Sequence, residues 1–399
     1  MPERHLLLAG SWGPERDPAR PDPENADWYL PLHVRDERGA RERLAAQVAA
    51  GADVIVAPTW RTHRRALLPL GETRRATAWT AAAVRVARDA LEAGLERRTE
   101  LLADAPGDDV RRDRPAPLIA ASLPALDEDP EPGTGRLLPR KAATERDYRD
   151  QAGVLADAEP DLLLVEGQRG EAEARAAFNE AVSTELPVWA ALSEDALSTT
   201  DLEGWLDWSR AAGVERLLLP PPVDARQAAA DGDLPWGALV RSADPVPGWL
   251  EAGAGVVACL DGASIGALEP IRAGIDDHEH FAIEAARAAE RRWLDHVALA
   301  ASMAPGGAAV WLGPAPTASL PDGFEWLVVD AVEARRLPAE HYRFVIAAAE
   351  PGADAGRLLR QGGVLASRGA GARRSEADLR VLTLDDSVKP PLAIHRREG

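Results

Sequence analysis

Short runs of apolar, often β-branched residues recur along the chain, each bounded by Gly, Pro or Asp: HLLLAG (5–10), DVIVAP (53–58), PLIAAS (117–122), LLLVEG (162–167), PVWAAL (187–192), RLLLPP (216–221), GALVRS (237–242) and VVACLD (256–261). Runs that are apolar throughout, without alternation, mark strands buried on both faces. Between them, apolar residues fall at helical spacing in GARERLAAQVAAG (39–51), TAWTAAAVRVARDALEAG (77–94), TERDYRDQAGVLADA (144–158) and EAEARAAFNEAV (171–182). Eight strands alternating with helices predict an α/β chain built on a closed (β/α)8 TIM barrel. Only DPVPGWLEAG (244–253) separates the last two runs, so the seventh helix is expected to be short or irregular.

The segment HEHFAIEAARAAERRWLDHVALAASM (278–303) predicts a long helix that stops at the breaker APGG. The strand rhythm then restarts with AAVWLG, EWLVVD, YRFVIAAA and GGVLAS, followed by LRVLTLD and PPLAIHRR. The expected organisation is a barrel over 1–303 and a small α/β, Rossmann-like domain over 304–399.

A chain of 399 residues suits this division. Its net charge of −19 repels phosphate backbones and anionic lipid headgroups, which argues against nucleic acid and membrane surfaces as partners. Small molecules and proteins remain, and a homo-oligomer or a partner subunit stays open. No apolar run approaches the roughly 20 residues of a membrane helix, and MPERHLLLAGSWG is no secretory leader, so a cytoplasmic protein is expected. The single cysteine, Cys259, rules out an intramolecular disulfide and any metal site built on several thiolates of one chain.

In a barrel of this kind chemistry sits at the carboxyl ends of the strands. The strings found there resemble the homocysteine S-methyltransferase family, over roughly residues 5 to 277. LLLAGSWGPE looks like the family's opening strand and its Asp-Gly-Gly-x-Gly-Thr-Glu turn. ERLAAQVAAGADVIVAPTWRTH resembles the helix, Ala-Gly-Ala-Asp-Val strand and Thr-Asn-Thr-Tyr-Gln-Ala segment, and PLIAASLP the Ala-Gly-Ser-x-Gly-Pro strand. PDLLLVEGQRGEAEARAA resembles the strand ending in Phe-Glu-Thr, and WLEAGAGVVACLDGASIGALEPIR the Gly-Gly-Cys-Cys-Gly-Thr segment through to Ile-Arg.

The resemblance implies methyl transfer to a thiol or amino-acid substrate such as homocysteine, whose sulfur the family binds as thiolate on a zinc ion held by three cysteines. Zinc lowers the thiol pKa so that the nucleophile exists at neutral pH. Here the cysteine pair is Cys259 and Leu260, and the Asn-Cys after the sixth strand is Leu219 and Pro220, so the three-cysteine zinc site is expected to be lost. Ala9, Pro58 and Gly167 replace the Asp, Asn and Thr of the other motifs.

What remains is Glu166, where the family has the carboxylate that contacts the substrate amine, with Thr59, Trp60 and Ser122 to shape the pocket. Arg241 is a candidate fork for a substrate carboxylate or sulfonate. Cys259 reads as a remnant metal ligand, a nucleophile, or a small apolar residue closing a buried strand. Asp261, two residues on, reads as a substitute ligand or base, or as a solvated helix cap. His278 and His280, at i, i+2 spacing, fall on different faces of a helix and are not expected to bind metal. The methyl donor is not specified. Two alternatives to a family enzyme follow from the lost cysteines: a catalytically silent homologue that serves as a binding or assembly subunit, and a metal-independent enzyme of changed chemistry.

The C-terminal strings are similar to a shortened class I S-adenosylmethionine-dependent methyltransferase. GAAVWLGPAP lacks the Gly-x-Gly signature, and Asp330 stands where an acidic ribose contact would be expected. A structural or dimerising role is the expectation for this unit.

Overall fold

The computed structural model describes residues 4–10, 30–68, 70–103, 114–126, 144–168, 171–193, 197, 202–220, 234–240, 242–260, 265–304, 306–312, 320–329, 331–334, 336–339, 341–348, 355, 358–368, 379–385 and 392–397. Two compact units divide between His280 and Phe281.

The first unit is a closed barrel of eight parallel strands in chain order: β1 (Leu6–Ala9), β2 (Val54–Ala57), β3 (Leu118–Pro124), β4 (Leu162–Glu166), β5 (Val188–Ala191), β6 (Arg216–Leu219), β7 (Trp236–Leu239) and β8 (Val256–Cys259). β8 closes the ring on β1, with Leu8 beside Ala258 and Ala9 beside Cys259. Each of the eight apolar runs became a strand, because each has one set of alternate residues for the barrel interior and another for the helix layer. The interior set includes Leu8, Val54, Val56, Ala120, Leu162, Leu164, Trp189, Ala191, Leu218, Val256, Ala258 and Leu260. The outward set packs under helices such as Glu37–Ala49 and Ala76–Leu101, with Leu44, Val48, Val84 and Ala87 against Leu7, Ile55 and Val257. The helix between β7 and β8 is a short Val246–Glu251, as its brief sequence requires.

The amino-terminal end of the barrel is tied by a buried ion cluster. Asp53, just before β2, accepts the Leu7 backbone N–H at 2.8 Å, Arg114 at 3.1 Å and Arg272 at 2.9 Å. Arg114 also reaches Asp276 and Glu279, each at 2.8 Å, and its side chain is 2% exposed. Buried charges persist only when paired in this way.

In the second unit six strands, β9 (Gly307–Leu312), β10 (Phe324–Val329), β11 (Tyr342–Ala347), β12 (Leu359–Arg368), β13 (Leu379–Asp385) and β14 (Leu392–Arg397), form a sheet in the order β10-β9-β11-β12-β14-β13. The first four are parallel, and β14 runs antiparallel to both β12 and β13. The division at His280 falls within the helix Ile265–Met303. Its residues Trp293, Val297 and Ala300 belong to the core built on Trp311, Phe344 and Ile394. The sequence pattern shows where the helix ends; it does not show which core its second half joins. Among the described residues no helix is long and apolar enough to cross a membrane.

Candidate active site at the carboxyl ends of the barrel strands

Alternation along β3 and β4 places Ser122 and Glu166 inward, two residues beyond the interior residues Ala120 and Leu164. The Ser122 hydroxyl donates to the Glu166 carboxylate at 2.7 Å, and the two residues are 0% and 3% exposed. Ser122 is itself fixed from β2: its backbone N–H donates to Thr59 Oγ1 at 2.9 Å, and that hydroxyl donates to the Ser122 carbonyl at 3.1 Å. Thr62 donates to the Thr59 carbonyl at 2.9 Å, and Thr80 to Thr62 at 2.8 Å, which anchors the turn after β2 to the helix Ala76–Leu101.

The lacing continues toward β5. Gln168 donates through Nε2 to the Leu123 carbonyl at 3.2 Å, and Ser193 donates to the Gln168 carbonyl at 2.6 Å. The ends of four consecutive strands are thus cross-linked around one carboxylate. Trp60, 6% exposed, stands over Gly167: a Cβ on that glycine would lie 2.9 Å from the indole Cη2, and Gly167 has φ +84. Gly167 itself is exposed, so solvent reaches within one residue of Glu166.

The four expected pocket residues Thr59, Trp60, Ser122 and Glu166 therefore meet at one end of the barrel. Arg241 and Asp261 lie outside the described residues. Cys259 does not join the group. It is the outward member of its strand, 1% exposed among Leu7, Ala9 and Val257, while Leu260 takes the inward position. The alternation of Val256, Ala258 and Leu260 decides this: if those three face the interior, the thiol between them faces the helices. Gln168, which sequence reading had not singled out, is 2% exposed and its Oε1 has no hydrogen-bond partner.

A thiolate zinc of the family's kind does not fit these residues, because the only thiol of the chain points away from the barrel interior. Among the described residues no group of three or more His, Cys, Asp or Glu side chains is placed to hold a metal ion, and that includes His278 and His280.

The family model of homocysteine S-methyltransferase matches residues 41–214, which take in β2 to β5, stop short of β6, and contain Thr59, Trp60, Ser122 and Glu166. The fold is that of homocysteine methyltransferase MmuM from Escherichia coli. Its metallated form superposes with a TM-score of 0.51 at 17% identity, over 68% of this chain and 96% of that one. Its oxidized form gives 0.52 at 19% identity, over 67% and 95%. No curated protein sequence matches the chain. Part of the barrel, residues 41–214, thus matches the homocysteine S-methyltransferase family model, and the barrel shares its fold with those two structures.

Proposed function

We propose that the barrel binds a small amino-acid substrate by its ammonium group at Glu166 and serves methyl transfer without the three-thiolate zinc of its family. The observation that carries this reading is the Ser122–Glu166 pair: a carboxylate fixed by a 2.7 Å hydrogen bond, facing the interior at the end of β4 and 3% exposed. A carboxylate held so far from water favours a cationic group that can replace the lost hydration, and a substrate ammonium is such a group. Thr59 holds the β3 end and Trp60 covers the glycine beside the carboxylate, so the pocket wall is preorganised.

In methyl transfer the acceptor's lone pair forms the new bond to carbon while the donor's bond to carbon breaks and its positive charge disappears. A thiol acceptor must also give up its proton. Unassisted, only a few per cent of a thiol is ionised at neutral pH, and Cys259 is not placed to hold a metal that would raise this share.

The second reading, a silent binding or assembly subunit, draws support from Leu260 and Trp60, which are 8% and 6% exposed at the same end of the barrel. Transfer of labelled methyl from a panel of methyl-sulfonium and methyl-ammonium donors, assayed with amino-acid acceptors in the presence of a chelator, separates the two. The enzyme reading expects turnover that falls at least tenfold in Glu166→Gln. Ligand binding without turnover from any donor would favour the silent subunit, and loss of neither property in Glu166→Gln would refute the assignment of Glu166.

A further inference from the structure

The sheet of the second unit ends on β10, which pairs with β9; among the described residues no strand lies against its other side. That side presents a row of backbone N–H and C=O groups, a template for a further strand unless the edge is blunted by proline, lysine or a bulge. β10 has none of these. Its six residues, FEWLVV, carry one charge, at Glu325, and keep an unbroken register with β9, whereas the β11–β12 and β13–β14 pairs each contain a shift. Leu327 and Val328 are 40% and 41% exposed, large apolar side chains left open on this edge strand.

The alternation says what fits there. Phe324 and Trp326 pack against the core that holds Phe344, and Val329 belongs to the core on the opposite face, with Val345. Val328 therefore shares the face of Trp326, and Glu325 and Leu327 share the face of Val329. An antiparallel copy of the same strand, related by a two-fold axis through Leu327, preserves both faces. Trp326 of one copy then lies opposite Val328 of the other, Leu327 opposite Leu327, and Glu325 opposite Val329. Aromatic and β-branched residues opposed in this way are favourable pairs. The two Glu325 side chains stand four positions apart, roughly 13 Å, beyond the roughly 8 Å over which exposed charges act at physiological salt. Moving the axis to Trp326 halves that separation and sets Glu325 against Leu327.

We infer that the second unit self-associates through β10, two copies of this chain joining their six-stranded sheets edge to edge about Leu327. A single strand pair covers less than the roughly 800 Å² per partner of a standard interface, so the dimer is weak, dissociating on the order of 10–100 µM.

Sedimentation equilibrium of the full-length protein from about 1 to 200 µM tests this, because association follows mass action. The protein should pass from monomer toward dimer across that range. Leu327→Lys and Leu327→Glu each set like charges against each other at the axis and should weaken association at least tenfold. An equimolar mixture of the two variants should restore it as a heterodimer, since Leu327 is the residue that meets its own copy. Amide exchange needs no variant: the segment Phe324–Val329 should exchange severalfold more slowly at the high concentration than at the low one. A monomer throughout, or a dimer that neither variant weakens, overturns the proposal. So does a mixture no more associated than its parts, or exchange over 324–329 that ignores concentration.

Discussion

The indole of Trp60 occupies the space that a side chain at Gly167 would need: a Cβ there would come within 2.9 Å of Cη2. The two residues belong to different βα turns, and their fit sets the wall beside Glu166. Gly167 also has φ +84, a conformation that costs other residues roughly 1–2 kcal/mol. Gly167→Ala should therefore lower stability by about that amount in chemical denaturation. Because the ring must also move, amino-acid affinity should fall severalfold; an unchanged affinity would show that the wall plays no part in binding.

Ser122 holds the Glu166 carboxylate from one side. Ser122→Ala keeps the backbone bond to Thr59 and removes only the hydroxyl, so the barrel should fold normally. Ligand affinity is expected to fall by roughly 1 kcal/mol, about fivefold, since the carboxylate is then less well oriented. Thermal unfolding measured alongside titration distinguishes this from a loss of folded protein.

Cys259 is expected to be inert. With 1% exposure it should resist thiol reagents in the native barrel and react fully once denatured. Cys259→Ser should destabilise the barrel by about 1–3 kcal/mol, the cost of a polar group in an apolar layer, and leave ligand affinity within twofold. Rapid reaction of the native thiol, or a large loss of affinity, would mean that it faces the site after all.

Burial pushes the His33 imidazole down to about 4, with the backbone of Pro58 and Trp79 pulling the other way. In the unfolded chain the same group protonates near pH 6.5. The unfolded state therefore binds more protons as the pH falls, and stability is lost from about pH 6.5 down to about 4, by roughly 3 kcal/mol at most. His33→Leu should flatten the stability profile in that window. Glu279 acts lower: burial alone would raise its carboxyl, but the His5 hydrogen bond and the guanidiniums of Arg114 and Arg272 outweigh it and hold it below the usual range. Its contribution is present above about pH 4.3 and lost as the pH falls further. Glu279→Gln should abolish that part of the acid transition, as read by denaturation at pH 3 to 5.

Breaking the cluster at its centre should matter more. Asp53 is shared by Arg114, Arg272 and the Leu7 backbone, so Asp53→Ala leaves two buried guanidiniums short of a partner. The expected cost is about 3–5 kcal/mol, measured by urea denaturation.

The barrel was legible because its strands are uniformly apolar runs bounded by turn residues, and that signal is local. The pairs that tie it together were not: Asp53 and Arg272 are 219 positions apart, and no periodicity links them. Of the site, Glu166 and Ser122 could be picked out only through the resemblance of their flanking strings, since a carboxylate after LLLV and a serine within LIAAS have many structural uses. The outward face of Cys259 was written in the alternation VVACL, but the likeness to a cysteine pair drew attention to the thiol instead. Gln168 carried no signal beyond its place two residues after the glutamate.

The central claim is that the ammonium of a small amino acid sits on Glu166. A crystal structure of the full chain soaked or grown with L-methionine tests it directly. The account predicts the ligand nitrogen within about 2.7–3.2 Å of a Glu166 carboxylate oxygen. A ligand bound elsewhere, or its amine turned away from Glu166 toward other partners, would contradict it.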